Sequence, residues 1–414
     1  MAEKYTVNNK IKPSKKTAQK ALFDMALNIC STAIPTVVLQ LLILPSLSND
    51  MDGDSYGLMV TILAALNVIP STIGNVLNNV RLLHEKNYEN MGEKGDFQIF
   101  LMASQIINLF VMLGISVHYL GVSDFIGIAL LVGVGILWLG REYYIVAFRL
   151  NLKYIAILMN NLFLVAGYGI GWIIFIKKGY WQSIYLMGYL MSWLHLLCTS
   201  SIMREPLKKT TEFKAVLNDS VFLLISNILA RAMNYADKIL LYPLLGGTMV
   251  SVYYAATIFS KVVSLAITPI NSVALSYLSK MDKKPNSLFK WTYLLGIVVC
   301  TVGYIVAVTF SRPILSILYP QYVDMAMNYI WITSGTIVVS VLTSMITPFV
   351  LCYFDTKWQI WINGITTAVY IIVSMVFLKV GGLKGFCIGA LVANLIKLLI
   401  TTYIYLRKSS RESR

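Results

Sequence analysis

Apolar windows of about 20 residues, the length that spans the hydrocarbon core of a bilayer, recur along the chain with short polar breaks between them. Twelve such spans are predicted, centred near residues 33, 68, 109, 136, 165, 192, 229, 263, 299, 338, 368 and 394. In three of them polar residues interrupt one helical face only. Asn227, Arg231, Asn234 and Lys238 recur at i, i+4, i+7 and i+11, which stacks them on a single stripe. Lys261, Ser264, Thr268 and Asn271 do the same in the next span, and Asn67, Ser71, Asn75 and Asn78 form an uncharged stripe in the second. An unpaired charge in mid-span costs about 2.5–3.5 kcal/mol on insertion scales, so these residues need protein or water beside them. We read the stripes as walls of a water-filled cavity that receives an anionic group. For the uncharged stripe, polar contacts between packed helices are the alternative.

Composition turns this pattern into a fold class. With 57% hydrophobic and 13% charged residues and a mean hydropathy of +0.70, against about 25% charged in soluble domains, the chain is an all-α polytopic membrane protein. The net charge of +15 does not point to nucleic acid, because its distribution follows the connections. Lys and Arg number 25 in the two terminal segments and alternate loops, and only five in the intervening ones. The positive-inside rule then places both termini in the cytoplasm of a multi-pass plasma (cytoplasmic) membrane protein. The expected organisation is a basic arm (1–20), a six-helix bundle (21–203), a basic linker (204–214), a second six-helix bundle (215–406) and a basic tail (407–414). A weak internal repeat at an offset of 197–199 residues supports the division: Asn28 aligns with Asn227, Pro45 lies near Pro243, and Tyr56 meets Tyr253. Six spans per half gives the halves one orientation, with substrate expected between them. The arm carries six lysines and no small-residue cleavage site follows it, so no cleavable signal is expected.

Several local features are read more plainly. Residues 81–96 look like a solvated loop with His84 at the surface, and Trp138, Tyr143 and Tyr144 like an interfacial aromatic belt. Arg141 and Glu142 form an ion pair at the membrane edge, unless Arg141 faces the cavity. Lys397 snorkels to the surface or joins the cavity. Five scattered cysteines and three isolated histidines imply neither a disulfide framework nor a metal site.

The chain carries no P-loop, GxSxG, HExxH or dinucleotide fingerprint, so no enzyme and no direct ATP hydrolysis is expected. The chemistry that remains is a cationic group in mid-membrane. Arg231, Lys238 and Lys261 face one nearby acid, Asp237; arginine grips two oxygens with its fork and lysine adds a point charge. A pyrophosphate is the ligand such a trio favours. Adjacent helical positions point about 100° apart, so Asp237 and Lys238 are not expected to pair. Asp24 and Asp237 are the candidate sites for a coupling Na⁺ or proton, and no other cofactor is implied.

The string YADKILLYPLLGGTMVSVYYAATIFSKVVSL at 235–265 resembles the start of the second half of Wzx-type polysaccharide repeat-unit flippases, lipid-linked oligosaccharide flippases of the multidrug/oligosaccharidyl-lipid/polysaccharide exporter superfamily. RPILSILYPQYVDMAMNYIWI at 312–332 is similar to that family's stretch before span 10. The resemblance implies a MATE-like pair of bundles that open alternately to either side. It further implies a polyprenyl-pyrophosphate-linked oligosaccharide as substrate, membrane lipid and polysaccharide polymerase machinery as partners, and cavity cations on the pyrophosphate, a role that would fall to Arg231, Lys238 and Lys261. The first half departs from that pattern, supplying no mid-span cation, only Arg81, Arg141 and Arg149 near span ends. Two other classes compete: a multidrug antiporter, which should favour buried acids over this basic cavity, and a membrane-embedded glycosyltransferase or polymerase, which wants a large external loop that the chain lacks.

Overall fold

A computed structural model describes residues 27, 29–259, 267, 271, 278, 285–354 and 356–407, without the side chains of 233 and 356–360. Among them the chain is helical, and nine helical stretches are long and apolar enough to cross a membrane. Two of these stretches run far beyond one bilayer thickness because each joins two segments at a break. Helices α2 (Gly53–Val68) and α3 (Pro70–Met91) meet at Ile69, where Pro70 supplies no backbone donor. Helix α13 (Thr356–Leu406) is interrupted at Gly381 and Gly382, the latter at φ 55°, a conformation glycine adopts without strain.

The remaining elements are α1 (Ile29–Asp50), α4 (Asp96–Leu120), α5 (Phe125–Tyr144), the short α6 (Val146–Leu150), α7 (Tyr154–Lys178), α8 (Gln182–Thr199), α9 (Phe213–Leu245), α10 (Gly247–Ala256), α11 (Asn286–Leu318) and α12 (Val323–Tyr353). A π-helical turn widens α1 at Leu39–Ile43, directly before Pro45; the wide turn relieves the clash of the proline ring with the preceding turn. Local chemistry fixes other boundaries. Asp52 accepts from the amides of Asp54 and Ser55, both at 3.0 Å, and so starts α2. Asp124 does the same for α5 through Gly127 at 2.9 Å.

Packing divides the molecule by depth. At the end away from the basic loops, a single apolar core joins both halves, from Leu47 and Tyr56 to Tyr254, Tyr319 and Phe386. Here α2 and α10 touch backbone to backbone: a Cβ on Gly57 would lie 1.9 Å from the Gly247 carbonyl oxygen. Asp54 accepts from the Gly247 amide at 2.8 Å, and Ser251 donates to the Gly53 carbonyl at 2.6 Å. Tyr56 sits within 6.0–6.4 Å of the rings of Tyr254, Tyr319 and Tyr322. At the basic-loop end the halves instead have separate cores, one around Phe97 and Tyr143 and one around Phe289 and Tyr405.

Three local expectations are corrected. Residues 81–91 continue α3 and are not a solvated loop; Arg81, His84 and Tyr88 are buried. Trp138, Tyr143 and Tyr144 are buried as well and form no interfacial belt, because α5 packs against α3, α4 and α8. Arg141 pairs with Glu142 at 3.2 Å, yet both side chains line the interior and not a membrane edge.

Candidate functional site: a cavity between the halves

Between the shared core and the basic-loop end lies a cavity of about 960 Å³ bordered by both halves. The first half brings the predicted stripe to it: Asn67, Ser71, Asn75 and Asn78 all line the wall. From the second half Asn234, Asp237 and Lys238 line it, whereas Asn227 does not, its amide donating to the Leu223 carbonyl at 2.8 Å. Arg231 lies in the seam between the halves and ties α9 to α2 and α3, donating to the Asn67 carbonyl at 3.2 Å and the Ser71 hydroxyl at 3.0 Å. Lys261, Ser264, Thr268 and Asp24 lie outside the described residues. Asn271 is a partly buried helical position.

The charges are arranged differently from the expected trio. Lys238 bonds to its own neighbour, with Nζ 2.5 Å from Asp237 Oδ2 and the Lys238 amide also donating to Asp237 at 2.9 Å. Their Cα–Cβ bonds do diverge, but the four-carbon lysine stem is long enough to swing back. Lys238 is therefore neutralised in place. The expected lack of first-half cations is also corrected, since Arg141 and Arg149 both line the cavity, and Lys397 lines it from α13. Arg141 is fully engaged: Nε donates to Ser192 at 2.8 Å, Nη1 to Glu142, and Nη2 to Asn161. Among the described residues, Arg149 and Arg231 bond to uncharged groups, Arg149 to Asn78 at 2.5 Å and Asn79 at 3.1 Å.

The lining thus contains, among the described residues, four cations, Arg141, Arg149, Lys238 and Lys397, against two carboxylates, Glu142 and Asp237. Uncharged hydrogen-bond partners position the Arg149 fork without cancelling its charge, which is the state a positioned anion ligand requires. The sequence marked Arg149 as a span-end residue; only the short α6, which folds it back beside α3, turns it inward. At the end away from the basic loops the cavity wall is aromatic, with Trp138, Tyr168, Tyr185 and Tyr189 from the first half facing Tyr253, Tyr254 and Tyr370 from the second. Little in the sequence marked this wall, because its aromatic residues come from five helices and only Tyr185 and Tyr189 share a helical face.

No protein-family model and no curated protein matches this chain. Solved structures do match it in fold. The lipid II flippase MurJ in an inward closed conformation superposes with a TM-score of 0.65 at 14% identity, over 93% of this chain and 86% of that one. The Vibrio cholerae MATE transporter VcmN in its bent form gives 0.61 at 11% identity, over 94% and 96%. An inward-facing multidrug resistance MATE transporter of the MOP superfamily gives 0.60 at 12% identity, over 91% and 96%. The chain therefore has the MurJ- and MATE-like fold, two six-helix bundles facing each other, and is a multi-pass membrane protein.

Proposed function

We propose that the protein is a flippase, moving a polyprenyl-pyrophosphate-linked oligosaccharide repeat unit across the plasma membrane by alternating access, for capsule, O-antigen or exopolysaccharide synthesis. The carrying observation is the sign of the cavity: among the described residues four lining cations face two carboxylates, and both carboxylates are already paired. Arg149 and Lys397, with Arg231 in the adjoining seam, take the pyrophosphate in this reading, and the lipid tail stays in the bilayer. The fold shared with a lipid II flippase is consistent with a lipid-linked substrate. A cation antiporter on the same fold is disfavoured, because a cationic drug would meet excess positive charge. Asp237, held by Lys238, is the described residue at which a proton or Na⁺ coupling step is proposed.

The test is translocation of a pyrophosphate-linked glycolipid in liposomes by Arg149→Gln and Arg231→Gln variants. A charge-assisted hydrogen bond to phosphate contributes about 1.5–3 kcal/mol, so each change should cut transport roughly 10- to 100-fold. Unchanged transport in both variants, with normal insertion, would falsify the cationic-cavity mechanism.

A further inference from the structure

The cavity is chemically divided by depth. On α7, Asn161 holds Arg141, and Tyr168 lies seven residues farther from the basic-loop end, about 10 Å at ~1.5 Å per residue. At that level the wall is aromatic. Tyr189 stacks on Trp138 with ring centres 5.1 Å apart and planes 27° apart, and Tyr168 meets Tyr185 at 5.9 Å. Across the chamber Tyr254 donates to Gln40 at 2.7 Å, and Tyr253 carries Lys238 5.6 Å from its ring centre. The charged groups among the described residues of this chamber are Asp237 and Lys238, with Arg141 and Glu142 one helical turn from Trp138, and each pair satisfies itself.

We propose that this aromatic chamber is the subsite for the sugar head, and that it selects uncharged pyranoses over sugars bearing a carboxylate. This rests on the flippase reading above and adds to it the class of glycan carried. Flat rings such as Trp138 and Tyr189 pack on the apolar C–H face of a pyranose, while phenol, amide and threonine oxygens meet its hydroxyls. A uronic acid placed there loses its hydration and finds no unpaired cation among the described residues, because Lys238 is held by Asp237 and Arg141 by Glu142, and an uncompensated buried charge is strongly disfavoured. The diphosphate end of the same ligand lies one layer nearer the basic loops, beside Arg149 and Lys397. Depth alone then sorts the two parts of the substrate.

The experiment measures binding to the full-length protein in lipid nanodiscs with three probes: bare polyprenyl pyrophosphate, the same carrier bearing a neutral disaccharide, and the carrier bearing a disaccharide that contains a hexuronic acid. The neutral glycan is expected to improve affinity over the bare carrier by about tenfold, the range of one good aromatic contact, and the uronic glycan to give no gain. In Tyr189→Leu and Trp138→Leu the ratio of neutral-glycan to bare-carrier affinity should fall towards one, with Trp138→Phe restoring most of it. A ratio unchanged in both leucine variants overturns the subsite, as does equal affinity for the neutral and uronic glycans. Tight binding of a planar organic cation with no gain from the sugar overturns it too. Failure of the wild-type protein to bind even the bare carrier is a separate result, which strikes the flippase reading itself.

Discussion

Arg81 shows how far one residue can depart from what its neighbours in sequence imply. Set in RLLHEKNYEN, it reads as part of a charged loop, yet it is fully buried. Its Nη2 meets Glu205 at 2.8 Å and Glu85 at 3.0 Å, and its guanidinium lies 5.0 Å from the ring centre of Tyr88 and 5.3 Å from that of Phe97. Removing one partner of a buried ion pair leaves an uncompensated charge, so Arg81→Leu is expected to lower stability by about 3–5 kcal/mol. The drop in unfolding midpoint in detergent measures it, with Arg81→Lys intermediate because the lysine lacks the planar fork. Glu205, on the linker, has its carboxyl raised above the usual range by burial, against the pull of Arg81 and Lys94. The folded state therefore holds this proton more tightly than the unfolded chain. The group's contribution to stability is fully present below the ordinary glutamate pKa of about 4.3 and is lost as pH rises through the raised value. Glu205→Gln should flatten that part of the stability–pH curve; an identical curve for variant and wild type would show that the carboxyl is not perturbed.

At the scale of elements, the linker and the first turns of α9 belong, by packing, to the first half. Val216 lies in the core around Phe97, and the Thr210 amide and hydroxyl both donate to Asp96. His84 of α3 bridges two carboxylates of this segment, Nδ1 to Glu212 at 3.1 Å and Nε2 to Asp219 at 2.8 Å. The ring thus clamps the linker and the start of α9 to α3. His84→Leu removes the side chain that both Glu212 and Asp219 meet. Amide exchange across residues 205–220 should then accelerate, while exchange in α7 and α8, which do not touch the clamp, stays as in wild type. Equal protection of 205–220 in both proteins would show that the clamp does not hold the linker. The clamp lay outside sequence reasoning because His84 is 128 and 135 residues from its two partners.

At the scale of the whole molecule, the proposed transport cycle requires the seal at the end away from the basic loops to form and break. Gly57 and Gly247 are the tightest point of that seal, where any side chain meets backbone. Gly57→Val should hold the halves apart at that end, since overpacking of this kind typically costs about 1–3 kcal/mol. The expected result is a cysteine at Ser251 that reacts readily with a membrane-impermeant thiol reagent from outside, with transport lost; a wild-type labelling rate would show that the seal re-forms around the valine. The sequence by itself determined what periodicity and composition control: the apolar spans, the clustering of basic residues in alternate connections and the Asn67 to Asn78 stripe, all of which depend on residues a few positions apart. The tertiary structure decided which charges survive. Lys238 is cancelled by an adjacent residue through a flexible stem, Arg149 is turned inward by a helix of five residues, and the aromatic chamber is gathered from five helices. Each outcome depends on side-chain reach and on contacts across long separations, and neither leaves a period in the sequence.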